Sequence, residues 1–527
     1  MSARPNNSPP LEPESLDPLS EPVTPRPVRD RGEHGLTADG RLKSGRLAGL
    51  SLTMAIWTVG WPVLVDSVLN SLVGLTDTMV AAAISAAATD AIGNAMYVLW
   101  FCGLFMIALD VGATALISRS IGAGRQAVAN AAVAQTLLMA LVIGIAVGLL
   151  IFALAHPIAT TMGMQPEAQA LFTAYLRLAS IDVPFMGILY AGIACLRGSG
   201  DSFRPMRAMI VVNLVNLGLS WILSGADYAV MVKGPGGDLV RKVVFENPFP
   251  FHLGIRGIGL GMILAHAAGA SLIVATLLRG SAGLTLYRHR LRPHWHTMRR
   301  IVRVGFPNFL ETLGMFIGNF PIILMAGWIG KDLVGAHILA VRIEAFSFQP
   351  GFAIGIAAAA LAGQYLGAGS PRLARRAVLM CTGMSAAVMG IMGICFIVFA
   401  ERIVGGLSAQ DAHLAVTPRL LQITGLVQVP FAIAIVFRQA MRGAGDVKVV
   451  MWITWITTYA FRLPLAYALS GVDIPLPGGK VIPNPFAPWV GEASLTGLWI
   501  GLCVEIFVRA AAFAIRFAQG GWTRIRV

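Results

Sequence analysis

An all-α, polytopic membrane fold of twelve helices in two parallel six-helix repeats is what this sequence predicts, on three observations. Apolar residues make up 56% of the 527 residues and charged residues only 13%, with a mean hydropathy of +0.71. Apolar runs of about 20 residues, the length a helix needs to cross a bilayer, recur along the chain. Landmarks of the first half return in the second at one spacing. SIGAGR at 120–125 recurs as YLGAGS at 365–370, and LRGSGD at 196–201 as MRGAGD at 441–446; both offsets are 245 residues (367 − 122 and 442 − 197). Six spans per half return the chain to the same side, so the halves are parallel and enclose a central cleft.

In chain order, residues 1–46 are rich in Pro, Ser, Glu and Arg and read as a disordered cytoplasmic tail without a signal peptide. Spans near 50–82, 91–118, 127–155, 168–196, 203–224 and 257–279 make an N-terminal lobe, 47–280. Residues 281–300 read as a basic cytoplasmic linker touching anionic lipid. Spans near 301–328, 334–364, 373–399, 413–440, 447–470 and 495–518 make a C-terminal lobe, 301–519, before a cytoplasmic tail, 520–527. The net charge of +14 does not point to nucleic acid, because the bases cluster in alternate short loops: Arg119 and Arg125, Arg204 and Arg207, Arg288 to Arg300, Arg372 to Arg376, Lys448. That pattern places both termini in the cytoplasm. The five cysteines lie in apolar runs without CxxC spacing and read as small buried hydrophobes.

The chemistry is expected in two equivalent spans. GWPVLVDSVLNSLVGLTDTMVAA (60–82) carries Asp66 and Asp77; GFPNFLETLGMFIGNFPIILMAG (305–327) repeats its opening and carries Glu311, four residues after Pro307 as Asp66 follows Pro62. An acid at membrane depth costs at least ~2.5 kcal/mol, so its default reading is functional. Asp66 and Asp77 are eleven residues apart, about three turns, and share one helix face. Asp66 serves either a polar track or a hydrogen bond to a neighbouring helix.

The ordered set Pro62…Asp77-Thr78, GATALISRSIGAGR (112–125), LRGSGD, RIEAFSFQP (342–350), GQYLGAG (363–369) and MRGAGD resembles the multidrug and toxic compound extrusion (MATE) transporters, bacterial branches above all. The likeness runs over about residues 48–518. It implies a V-shaped pair of lobes and efflux of amphipathic, often cationic, compounds by alternating access, driven by H+ or Na+ and by no other cofactor. Asp77 matches the family's first-helix coupling acid; its bland alternative is a cap near the helix mouth. Asn213 and Asn216 resemble the polar pair of the fifth helix, able to bond Asp77. Ser220 stands where many relatives carry an acid. Glu311 lies one turn before the position of the seventh-helix glutamate of some branches, here Met315, and either does a similar job or pairs with a base. Glu344 of the RIE string is a further coupling candidate, and Arg342 is expected to neutralise an acid such as Glu311. Gln349 and His337 are read as cavity polar groups; His266 and His337, lone histidines at depth, read first as hydrogen-bonded packing residues, with a proton relay as the alternative.

The glycine-rich LRGSGD and MRGAGD strings are helix stops, not phosphate loops, with Arg197 and Arg442 suited to the helix C-terminal dipole. Expected partners are small-molecule substrates and membrane lipids, with the chain acting as a monomer in the cell (inner) membrane. No metal site is expected. A lipid or lipid-linked oligosaccharide flippase of the same broad superfamily is the alternative, and it calls for a cleft richer in bases. An enzyme is not expected: HExxH, GxSxG and paired-aspartate strings are missing.

Overall fold

The computed structural model describes residues 35–233, 239–281, 283–408, 410–475 and 480–525. The N lobe consists of α1 (Leu52–Ile84), α2 (Ala86–Gly122), α3 (Gln126–Thr161), α4 (Pro166–Gly198), α5 (Phe203–Ser224) and α6 (Ile255–Leu278). An antiparallel hairpin, β1 (Tyr228–Lys233) and β2 (Leu239–Phe245), occupies the long loop before α6. The C lobe consists of α7 (Trp295–Ile329), α8 (Lys331–Gly367), α9 (Pro371–Leu407), α10 (Asp411–Leu426), α11 (Gln428–Ala444), α12 (Val447–Ile456), α13 (Leu463–Ser470), a short α14 (Ala487–Val490) and α15 (Leu495–Gln519). A two-residue pair, β3 (Ile474–Pro475) with β4 (Val481–Ile482), precedes α14.

Among the described residues eleven segments are long and apolar enough to cross a bilayer, α12 and α13 counting as one, and α10 with α11 makes a twelfth, bent by 58°. The bend has a cause in the sequence. Pro430 has no N–H for the carbonyl of Leu426, so the ladder breaks at Val427. Pro184 and Pro350 lie inside helices that run on unbroken.

The repeat extends to the turns. A single residue joins α1 to α2 (Ser85) and α7 to α8 (Gly330), again 330 − 85 = 245 apart. Gly200 and Gly445, both at φ +88°, close the two RGxGD strings in a left-handed conformation that other residues rarely adopt. Asp201 and Asp446 follow, each held by an arginine: Arg204 and, at 2.8 Å, Arg516.

The lobes are joined at the arginine-rich end, backbone against backbone. A Cβ on Gly122 would sit 1.9 Å from the Gln364 carbonyl oxygen, and one on Gly112 2.4 Å from that of Ile301. Gln364 Nε2 donates to the Gly198 carbonyl at 3.1 Å, and Arg119 donates to that of Ala444 at 2.8 Å. The buried core there is shared: Ala55, Ile56 and Val59 of α1 pack with Ala357, Leu361 and Tyr365 of α8. At the far end each lobe has a core of its own, around Val80, Ile92 and Tyr175 in one and Ile322, Leu420 and Trp499 in the other. The cleft therefore opens away from the arginine-rich end.

Three boundaries differ from expectation. Residues 35–46, assigned to the tail, are folded: Leu36 and Leu42 are buried under the joint together with Leu47, and Ser44 Oγ donates to the Ile121 carbonyl at 2.6 Å. Leucines every five or six residues among glycines and bases carry neither a helix nor a strand period, so the sequence gives no folding signal there. The rest of that tail, 1–34, lies outside the described residues. Part of the 520–527 tail is also folded, with Trp522 fully buried and stacked on Phe517 at 5.2 Å. The linker is shorter than 281–300, because α7 begins at Trp295 under a His294 cap.

Candidate functional site

Two polar clusters lie within the bilayer-spanning part of the structure, one in each lobe. In the N lobe, Asp77 of α1 is 1% exposed and accepts a hydrogen bond from Asn216 Nδ2 of α5 at 3.0 Å. The same amide lies 3.3 Å from Ser220 Oγ, one turn on. Asp182 of α4 holds His266 Nδ1 of α6 at 2.7 Å, and Tyr175, fully buried beside Asp77, closes the group. Three oxygens here are buried without a hydrogen-bond partner: Asp77 Oδ2, Asp182 Oδ1 and Asn216 Oδ1. Buried acceptors left unmade are costly, so these oxygens give the cluster capacity for a further donor.

Asp66 lies apart from it, in an ion pair with Arg197 of α4. The C lobe repeats that pair. Arg442 Nη2 meets Glu311 Oε2 at 2.8 Å, and Thr454 donates to Glu311 Oε1 at 2.8 Å. Both pairs span 131 residues, so acid and base recur together in the repeat. Glu505 and Arg509 of α15 make a second pair at 2.7 Å, and Arg509 also reaches the hydroxyls of Thr457 and Thr458 at 3.1 Å each. Those threonines belong to a π-helical turn, Thr457–Arg462, that interrupts the eleventh span. A π turn exposes backbone and redirects side chains, and such turns gather at functional sites. Arg462 ends the turn near Glu344, and Arg438 lies near Glu311 and Arg442. Among the described residues neither Arg438 nor Arg462 has a carboxylate oxygen within 4.0 Å, and no three His, Cys, Asp or Glu residues form a metal-holding group.

A model of the MatE family matches residues 62–222 and 307–468, two stretches that begin at Pro62 and Pro307 of the repeat and together cover more than half of the chain. The chain belongs to the MatE family. It is a multi-pass membrane protein of a transporter family, with small molecules as the substrate class. A probable multidrug resistance protein, NorM of Thermotoga maritima, is 25% identical over 88% of this chain and 91% of its own length. Multidrug resistance protein PmpM of Pseudomonas aeruginosa is 26% identical over 89% and 92%. Among solved structures, an outward-facing multidrug resistance MATE transporter of the MOP superfamily aligns with TM-score 0.74 at 18% identity, covering 89% of this chain and 97% of that one. A MOP superfamily transporter from Pyrococcus furiosus, described by the reversed polarity of its binding pocket, aligns with TM-score 0.76 at 19% identity, covering 90% and 97%.

On this MatE fold the candidate residues separate. Asp77, Asn216 and Ser220 come together as the sequence suggests, but Asn213 turns back to its own helix and donates to the Met209 carbonyl at 2.8 Å. The assignment of Arg342 to Glu311 is corrected: Arg342 is exposed on α8, and the base on Glu311 is Arg442 of the RGAGD string. Two residues apart, Arg342 and Glu344 point to different faces. Asp66 and Glu311 are each closed by an arginine, whereas Asp77 is held by the Asn216 amide. His337 Nδ1 accepts from Trp499 Nε1 at 3.1 Å, a packing bond, and Gln349 is half-buried on α8. Asp182 with His266 is not legible as a pair, because the two lie on different helices 84 residues apart and no string joins them. Arg438, Arg462, Glu505 and Arg509 were missed although an intramembrane charge is itself the signal, with Glu505 and Arg509 at the helical spacing of four.

Proposed function

We propose that this chain exports small amphipathic compounds, cationic ones among them, in exchange for H+ or Na+ entering through Asp77. The observation that supports this most is the carboxylate itself: buried, held from one side by Asn216, and left with Oδ2 unpartnered next to the Asp182–His266 pair. A fixed buried carboxylate with one open oxygen takes a proton or a cation in one state and gives it up in another, once the cleft rehydrates it. Joined at the arginine-rich end and open at the other, the lobes have the outward-facing form of an alternating-access cycle. The positive-inside rule makes the joined end cytoplasmic, with both termini there and the protein in the inner membrane of the cell. We take the exporter to work as a monomer, its lobes supplying both walls of one cleft, with lipid around its exposed apolar helix faces. The names of the relatives, multidrug resistance proteins, support the same reading.

The test is transport of a fluorescent cation by purified protein in liposomes under imposed proton or sodium gradients. Wild type is expected to couple export to one of the gradients, and Asp77→Asn to fall to the leak rate. Export driven by neither gradient defeats the antiporter reading. Normal coupling in Asp77→Asn removes Asp77 from it.

A further inference from the structure

The C lobe has more positive charge than its own acids can meet. Its interior network contains four arginines, Arg438, Arg442, Arg462 and Arg509, against three glutamates, Glu311, Glu344 and Glu505. Two pairs close at hydrogen-bond distance, Arg442 with Glu311 and Arg509 with Glu505. Arg438 and Arg462 remain. The recorded contact of the Arg438 head is the Met315 sulfur at 3.5 Å, a weak acceptor and no counter-ion. The Nε atoms of both Arg438 and Arg462 are buried and unpartnered. Both residues are only half-buried, whereas the paired Arg442 and Arg509 are fully buried. An arginine inside a membrane protein normally pairs, caps carbonyls or faces a water-filled cavity, because hydrocarbon does not accept its charge. Both arginines lie beside the already paired Glu505 and Arg509, and Glu344 lies beside Arg462 without closing on it.

We propose that Arg438 and Arg462 form an anion site in the cleft wall of the C lobe, and that the preferred substrates are zwitterionic. A carboxylate, sulfonate or phosphate would lie on these arginines while the cationic end faces the acids of the N lobe. The guanidinium fork suits such planar or tetrahedral oxyanions. The repeat sharpens the case. Shifted back by 245 residues, Arg438 falls on Ile193 and Arg462 on Leu217 (438 − 245 and 462 − 245), so neither arginine belongs to the shared scaffold. The π turn 457–462 falls on 212–217 of α5, the stretch that presents Asn216 to Asp77. Both lobes thus use the same segment for a polar site, with opposite sign. The proposal rests on the transport reading above, with the cleft as the substrate path.

The test compares a rhodamine bearing a free carboxylate with its methyl ester, which keeps the cation and loses the anion, in the same proteoliposomes. For wild type the acid is expected to have a KM about tenfold lower than the ester, the scale of one charge-assisted hydrogen-bonded contact. Arg438→Gln and Arg462→Gln should collapse the acid-to-ester ratio towards one, and Arg438→Lys and Arg462→Lys should restore part of it. Both dyes are read on one preparation, so a loss of folded protein lowers both rates and leaves the ratio intact. A second arm follows headgroup-labelled fluorescent phosphatidylcholine across the bilayer. Arginine-dependent movement of that lipid would identify a phospholipid headgroup as a source of the anion, and its failure to move would leave free zwitterions. Equal handling of acid and ester by wild type, with no arginine-dependent lipid movement, overturns the anion site while leaving the exporter intact. Export of neither dye under any gradient defeats the transport reading instead.

Discussion

In the N lobe Arg197 meets Asp66, and in the C lobe Arg442 meets Glu311 at the equivalent place. Apart from Asp201 and Asp446 of the two RGxGD strings, the other buried charges do not correspond. The N lobe adds Asp77, the Asp182–His266 pair and Asp110, whose carboxylate is bonded by Thr114 at 3.1 Å. The C lobe adds Arg438, Arg462 and Arg509 with Glu344 and Glu505. Position 322, the counterpart of Asp77 (77 + 245), is a buried isoleucine. Duplication thus accounts for the helices, the turns and one buried ion pair per lobe, and divergence for the surplus charge. The shared pair ties helices together within each lobe near the arginine-rich joint; the unshared charges are what distinguishes one lobe from the other.

The largest expected effect tests the shared pair. Removing one member of a buried ion pair strands the other charge, at a cost of about 3–5 kcal/mol. Arg442→Gln and Arg197→Gln should each lower thermal stability in detergent by that order, and the double variant Glu311→Gln with Arg442→Gln should recover most of it. If Arg197→Gln is harmless while Arg442→Gln unfolds the protein, the pairs are not equivalent and the symmetry argument breaks. Next in size is Leu42→Ala. A buried leucine cut to alanine costs about 2–5 kcal/mol, so the variant should melt lower and expose residues 35–50 to protease. A third effect concerns the pair unique to the N lobe. His266→Gln removes a charge-assisted hydrogen bond from Asp182, of order 1.5–3 kcal/mol, and adds to the unpartnered oxygens near Asp77. It should slow gradient-driven export more than it lowers stability. Equal losses in both measures would make the pair merely structural.

Much of the fold was legible because the bilayer enforces it. Span length, loop charge and the 245-residue repeat are each read from residue type alone, and they give twelve spans in two parallel halves. Position within the site was less legible. The resemblance of the fifth helix offered Asn213 and Asn216 together as partners of Asp77, and Ser220 reads from sequence as the place of a lost acid; the structure bonds Asp77 to Asn216 and places Ser220 beside that amide. The partner of Glu311 was not legible, since Arg342 and Arg442 both lie in strings of the motif set and only the helix faces decide between them. The glycines of RGSGD and RGAGD suggested helix stops, which they are, and drew attention from the arginine at the end of each last turn. Segments 35–46 and 520–524 carry neither apolar run nor period, yet they fold because the joint between the lobes supplies the surface.

The smallest expected effect separates two neighbouring asparagines. Asn213 and Asn216 are one turn apart on α5, and sequence alone assigns them the same part. In the structure Asn213 spends its amide on the Met209 carbonyl of its own helix, a bond that water or a helix partner replaces cheaply. Asn216 spends its amide on Asp77 Oδ1 of a different helix, α1, at 3.0 Å. Asn213→Ala should therefore change stability by no more than about 0.5 kcal/mol and leave coupling as it is. Asn216→Ala should strip Asp77 Oδ1 of that amide and shift the proton or sodium concentration for half-maximal export, even where the folded fraction is unchanged. The two variants differ in one helical turn and in nothing about residue type. If they behave alike, the hydrogen bond to Asp77 does not tune the coupling site, and the sign of the N-lobe cluster rests on its carboxylates alone.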